Sequence, residues 1–298
     1  MDYIRGVTST SRGDATTKES VMTTARKAAL AVPGATLHYE VRGSGPLLLV
    51  SQSGEGNANR SDTLVDHLVD RHTVVTYDRR GLSRSVLDDP ARGATLDEHV
   101  DDVHRLLAHL TDEPARMLGC SMGAVIGLRL ARRHPGRLAL LVAHEPAIPG
   151  LLPDAERLST QRELDEMRLV FQRDGWLAGV RRIGELLGID PARQETEPGA
   201  RLAPLDASRE ADFRFFVERD ALTMRNAELT ADDLTALKNG PVRIVPGAGL
   251  TTPRTVFDYR CAEELSAGLG AGLVHFPGGH NGNITHPKGF AEVLRGLL

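Results

Sequence analysis

Cysteine is nearly absent. Cys120 and Cys261 are the only two in 298 residues, and two thiols so far apart make neither a disulfide framework nor a zinc motif. No apolar run approaches the length of a membrane span. No dense run of Lys or Arg marks a nucleic-acid or anionic-membrane surface, and a formal net charge of -4 argues the same way. The N-terminus has no secretory apolar core, since Ala28 to Val32 is too short for one. Rich in Ser, Thr, Arg and Asp, residues 1–30 are expected to be a flexible tail on a cytoplasmic protein, with Met22 as an alternative start. Aromatics are scarce too: one Trp, four Tyr and seven Phe.

What is present is an ordinary globular composition, 41% hydrophobic and 26% charged. The length suits one large domain, with or without an inserted lid. Apolar β-type runs alternate with helical patterns. Strands are predicted at Thr36 to Val41, Pro46 to Val50, Thr73 to Asp78, Arg116 to Cys120 and Leu138 to Ala143. Between them fall helices from Ser61 through Asp70, Leu96 to Leu110 and Met122 to His134. Fully apolar runs such as Pro46 to Val50 suit parallel strands buried on both faces. The rhythm predicts an α/β fold with a mostly parallel central sheet flanked by helices.

Residues 149–240 break that rhythm. They show helical patterns and no convincing strand, and they hold Trp176, Phe171, Phe213, Phe215 and Phe216. These rings either face a substrate beneath a helical cap or pack the cap's own small core. The expected organisation is therefore a core of residues 31–148 and 241–298 with a cap at 149–240. The sheet resumes at Pro241 to Val245, then come a helix at Thr255 to Ala267, a strand at Gly272 to Phe276 and a helix at Pro287 to Leu298. Gly268 to Gly272 precedes a strand rather than opening a helix, so it is a loop and not a dinucleotide site.

Gly119-Cys120-Ser121-Met122-Gly123 fits G-x-S-x-G. The turn from strand to helix is sharp, the Ser backbone is strained, and side chains at the two Gly positions would collide with neighbouring chain. An apolar strand leads in and a helix leads out, which makes Ser121 the candidate nucleophile. Cys120 reads as a small buried residue ending the strand. In the α/β-hydrolase topology that goes with such an elbow, the base follows the last strand. His280 stands there, in Phe276-Pro277-Gly278-Gly279-His280, and is preferred to His286 at the last helix cap.

The acid is harder to place. The stretch after the strand before the His strand, Val245 to Thr252, contains no carboxylate, and Asp258 falls inside a predicted helix. The alternative position is the end of the strand after the nucleophile helix, where Val142-Ala143-His144-Glu145-Pro146 offers Glu145, 24 residues after Ser121. Backbone N–H groups of Met122 and of the loop Ser51-Gln52-Ser53-Gly54-Glu55-Gly56-Asn57 are the candidate oxyanion donors, with Ser53 preferred to Gly54.

These segments resemble the zearalenone-hydrolase-type lactonases of the α/β-hydrolases. The likeness rests on the loop after Val50, Tyr77 to Ser85, Gly119 to Ala124, His144-Glu145-Pro146 and His280 to Phe290. It implies Glu145 as the acid and Ser53 and Met122 as oxyanion donors, with Ser53 standing where the family has Gly. It also implies a substrate-contacting cap Trp, for which Trp176 is the only candidate; Gly54, Phe171 and Phe213 complete the expected substrate contacts.

The activity implied is ester or lactone hydrolysis through an acyl-enzyme, without metal or cofactor, on a small-molecule substrate such as a zearalenone-like macrolactone. A general carboxylesterase, a polyketide methylesterase and a non-catalytic binding protein of the same fold are the alternatives. Haloalkane dehalogenases and epoxide hydrolases need Asp at the nucleophile position. Neither nucleic acid nor membrane is an expected partner, and the oligomeric state stays open, a homo-oligomer included.

Overall fold

The computed structural model describes residues 24–190 and 193–298. A mixed sheet runs through the molecule. In chain order its strands are β1 (Arg26–Val32), β2 (Ala35–Arg42), β3 (Leu47–Ser51), β4 (Thr73–Tyr77), β5 (Val86–Leu87), β6 (Ala115–Cys120), β7 (Leu138–His144), β8 (Arg243–Gly249) and β9 (Val274–Phe276). The spatial order is β1-β2-β4-β3-β6-β7-β8-β9, with the short β5 paired to β2. From β4 through β9 along that path every pairing is parallel, while β1, β2 and β5 pair antiparallel at one side.

Two apolar layers cover the sheet. Successive strand residues point to opposite faces. Leu49 and Met117 therefore pack with Val100, Val103 and Val125 of α2 (Leu96–Leu110) and α3 (Met122–Arg133). Leu48, Val50 and Leu118 pack on the other face with Leu64 of α1 (Asp62–Asp66) and Phe290 of α11 (Pro287–Leu297). α2 starts where the sequence places it because Thr95 and Glu98 form a capping box.

Between β7 and β8 the chain builds α4 (Asp154–Asp174), α5 (Trp176–Leu186), α6 (Ala207–Phe215), a π-helical turn (Phe216–Asp220), α7 (Ala221–Arg225) and α8 (Ala231–Asn239), with no strand among the described residues. Then follow α9 (Phe257–Leu269) and α10 (Gly282–Thr285).

Three expectations are corrected. The predicted tail of residues 1–30 overlaps a strand, because Arg26 to Val32 pairs in register with Val41 to Ala35; Met22 lies outside the described residues. The first helix, expected through Asp70, ends at Asp66 and continues as turns. Gly268, expected in a loop, is the penultimate residue of α9, which closes on Gly270 in the left-handed region at φ 63°.

Candidate active site

The turn at Ser121 is as tight as its glycines suggest. Ser121 sits at φ 51°, a costly backbone region for a residue with a side chain. A Cβ on Gly119 would lie 2.5 Å from the Gly123 carbonyl oxygen, and one on Gly123 would lie 2.1 Å from that of Ser51. The Ser121 N–H donates to the His144 carbonyl at 2.9 Å, pinning the turn to the end of β7.

Glu145 follows directly, also at positive φ, 44°. Its N–H donates to Gly247 O at 2.9 Å, and its Oε1 accepts from the Gly249 N–H at 2.8 Å. Its Oε2 lies 2.7 Å from His280 Nδ1. Burial alone would raise this carboxyl, but the His280 hydrogen bond, the His144 and His280 charges and the Gly249 amide outweigh it and hold it at about 2. Glu145 is thus a buried residue whose carboxylate is fixed through both oxygens and whose backbone is pinned to β8.

His280 receives a second carboxylate. Asp258, in the first turn of α9, places Oδ2 3.2 Å from the same Nδ1. Neither Asp258 oxygen has a hydrogen bond among the described residues. Burial pushes the Asp258 carboxyl up to about 7; the His280 charge opposes this and the Glu145 charge adds to it. Burial lowers His280, but the Asp258 charge and the Glu145 contact prevail, and its pKa is raised. In the sequence Asp258 is set aside for falling inside a helix, since nothing local separates it from a solvated first-turn Asp.

Ser121, His280, Asp258, Ser53 and Gly54 line one cavity of about 390 Å³. Its walls are mainly apolar cap side chains, among them Leu164, Val180, Ile183, Phe213 and Phe216, with a polar corner of Glu55, Arg60 and Arg209. Arg209 grips Glu55 with Nε at 2.6 Å and Nη2 at 2.7 Å, while Arg60 reaches it only at 3.3 Å and its buried Nε has no partner among the described residues. Ser53 and Gly54 offer backbone N–H groups with no described acceptor, and Met122 begins α3 fully buried. The first N–H groups of a helix lack intrahelical acceptors.

Two expected substrate contacts are displaced. Phe171 is buried against Phe213, ring centroids 6.0 Å apart, and does not line the cavity. Trp176, at the start of α5, packs partly buried against the cap's apolar cluster and does not line it either. Helix face decides this, and the helix faces toward the cavity are those of Val180, Ile183 and Phe213. Phe216, which had no assigned role, does line it.

The remaining candidates separate cleanly. His144 is buried between Phe276 and Phe290, at 5.5 and 5.3 Å, without a polar partner among the described residues, and burial lowers it to about 4. Burial pushes the Cys120 thiol up to about 12, so it is held as the neutral thiol. Among the described residues no group of three or more His, Cys, Asp and Glu is placed to hold a metal ion, and no helix is long and apolar enough to cross a membrane.

The family model of the alpha/beta hydrolase fold matches residues 46–217. An uncharacterized hydrolase of Bacillus subtilis, YraK, is 36% identical over 270 residues, covering 90% of this chain and 94% of that one. A putative carbamate hydrolase, RutD, of Agrobacterium fabrum is 29% identical, covering 88% and 98%. Among solved structures, Est816, described as an N-acyl homoserine lactone degrading enzyme, superposes with a TM-score of 0.67 at 23% identity, covering 91% of this chain and all of that one. At that identity the likeness speaks for the fold.

Proposed function

The chain belongs to the α/β-hydrolase family, and from that premise we propose that it hydrolyses carboxylic esters and lactones through an acyl-enzyme on Ser121. The observation that carries the reading is the 2.7 Å contact between His280 Nδ1 and Glu145 Oε2, in a cavity that Ser121 and His280 both line.

In this reading Ser121 Oγ attacks the ester carbonyl and His280 Nε2 accepts its proton. Glu145 holds the imidazole with Nδ1–H toward itself and stabilises the imidazolium. The oxyanion of the tetrahedral intermediate accepts from the N–H groups of Ser53 and Met122. Collapse breaks the C–O bond, and His280 returns its proton to the departing alkoxide. Water, deprotonated by the same imidazole, then cleaves the acyl-enzyme and restores Ser121. With a lactone the released alcohol remains attached to the acyl chain, so one ring yields one hydroxy acid.

The substrate class we favour is a macrolactone of the zearalenone kind. The sequence likeness around Ser121, Glu145 and His280 supports it, as does a cavity within the roughly 300–1,000 Å³ range of small-molecule sites. The walls offer apolar area for the ring, and the polar corner lined by Arg60 and Arg209 faces its oxygens.

The test incubates the protein with zearalenone and with short p-nitrophenyl esters and follows products by mass. Ring opening by addition of one water supports the macrolactone. Turnover of the short esters alone returns the protein to the general esterases. Ser121→Ala is expected to keep the fold and lose several orders of magnitude in turnover; near-native turnover removes Ser121 from the mechanism.

A further inference from the structure

Arg79 does more than pack. It is 1% exposed, and its guanidinium faces three consecutive carbonyls of the loop after β3. Nη1 donates to Gln52 O at 3.3 Å and to Ser53 O at 2.7 Å, and Nη2 donates to Gly54 O. A trans peptide is planar, so its C=O and the following N–H point in opposite directions. Holding the Gln52 carbonyl aims the Ser53 N–H away from Arg79, and holding the Ser53 carbonyl does the same for the Gly54 N–H. These are the loop's candidate oxyanion amides, Ser53 and its alternative Gly54, which would act with the Met122 amide, and both residues line the cavity with Ser121.

The countercharge of Arg79 comes from the cap. Asp220, fully buried in the π-helical turn, accepts from Arg79 Nη2 at 3.2 Å on Oδ2 and contacts His99 Nε2 at 3.2 Å on Oδ1. Asp220 is the only carboxylate paired with Arg79 among the described residues. Phe216, four residues earlier in the same turn, presses its ring on the loop: a Cβ on Gly54 would lie 2.4 Å from Phe216 Cε2. One irregular turn of the cap therefore holds the loop from two sides, and π-turns of this kind recur at functional sites.

We propose that Asp220 is a positioning residue for the oxyanion amides, acting through Arg79, so that seating of the cap and stabilisation of the developing oxyanion are coupled. The inference rests on the acyl-enzyme reading above. Asp220 touches no substrate. With an uncharged partner the Arg79 fork loses its anchor, the three carbonyls rotate, and the amides no longer converge on the oxyanion.

The test uses p-nitrophenyl acetate, which is too small to need the cap walls. Asp220→Asn is expected to lower kcat by about 10–100-fold, short of the 10²–10³ for deleting an oxyanion donor, with KM changed less than about twofold. Affinity for a boronic acid, which becomes tetrahedral when Ser121 Oγ adds to its boron, should fall by a similar factor. The control is Asp102→Asn, which breaks an equally buried Arg–Asp pair with Arg80, made at 2.6 Å through Nε; Arg80 donates to the Pro33 carbonyl and to none of the three loop carbonyls that Arg79 holds. It is expected to cost stability and spare kcat. His99→Gln, which loosens Asp220 without removing its charge, should move kcat in the same direction by less and serves if Asp220→Asn does not fold. Unchanged kcat in a folded Asp220→Asn variant, or an equal kcat loss in Asp102→Asn, overturns the coupling while leaving the hydrolase reading intact. A wild type that neither turns over esters nor is labelled at Ser121 by a fluorophosphonate overturns the hydrolase reading and this inference with it.

Discussion

Asp258 Oδ2 lies 3.2 Å from His280 Nδ1, the atom that Glu145 Oε2 approaches to 2.7 Å. One imidazole nitrogen thus faces two buried carboxyl groups of opposite character. Glu145 is held low by its donors, and Asp258, with no hydrogen-bond partner among the described residues, is pushed up by burial to about 7.

The pH profile should report the contact between Asp258 and His280. A general base must be unprotonated, and the Asp258 charge raises His280. Asp258→Asn removes that charge, so the acidic limb of kcat/KM is expected to move to lower pH, with the plateau reduced by less than about tenfold. A limb that stays in place would mean that Asp258 carries no charge in the working range.

Stability should carry a matching signature. The folded-state pKa of Asp258 lies above its unfolded value, so the native chain binds the extra proton between about pH 4 and 7. Native stability is therefore lost as pH rises through that window. Asp258→Asn abolishes this slope, and its Tm relative to wild type should be more favourable at pH 8 than at pH 5. Parallel Tm curves for the two proteins would contradict the raised pKa.

Glu145→Gln should be far more damaging. The amide cannot stabilise the imidazolium and presents a donor where Nδ1–H needs an acceptor, so turnover is expected to fall on the order of 10³–10⁴. Steady-state kinetics on a short ester measure it. If Asp258→Asn proves the crippled variant and Glu145→Gln the mild one, the acid is Asp258.

The cap separates two aromatics. Phe213 lines the cavity and Trp176 does not. Phe213→Leu is expected to raise KM for a macrolactone several-fold while sparing p-nitrophenyl acetate. Trp176→Ala should act through packing and change both substrates alike. Selective loss of the macrolactone in Trp176→Ala would return that ring to the substrate.

Local signals explain what the sequence disclosed. Leu96 to Leu110 was legible because its apolar face is written within the helix, and the Thr95–Glu98 capping box fixes its start. Ser121, Glu145 and His280 each follow a recognisable strand, and parallel strand ends bring them together. β1 was not legible, because its residues are mostly exposed and only pairing with β2 makes them a strand. Arg79 and Asp220 lie 141 residues apart, and no spacing rule joins them. The lone Trp misdirected the reading of the cap, since rarity in composition says nothing about which way a helix turns its ring.

The cap also bears on how such proteins can be recombined. It leaves the sheet after β7 and returns into β8, two strands that pair side by side through Leu140–Arg243 to His144–Gly247. A foreign cassette spliced between those ends would keep the register of every strand. It would still need its own carboxylates for the Ser83 amide, which Asp212 accepts at 2.6 Å, and for Arg79, along with a cation for Glu55. A chimera that takes only the cavity-facing residues inherits a substrate preference and strands the first two of these partners, since neither Asp212 nor Asp220 lines the cavity, so specificity in this scaffold is transferable only together with its fastenings.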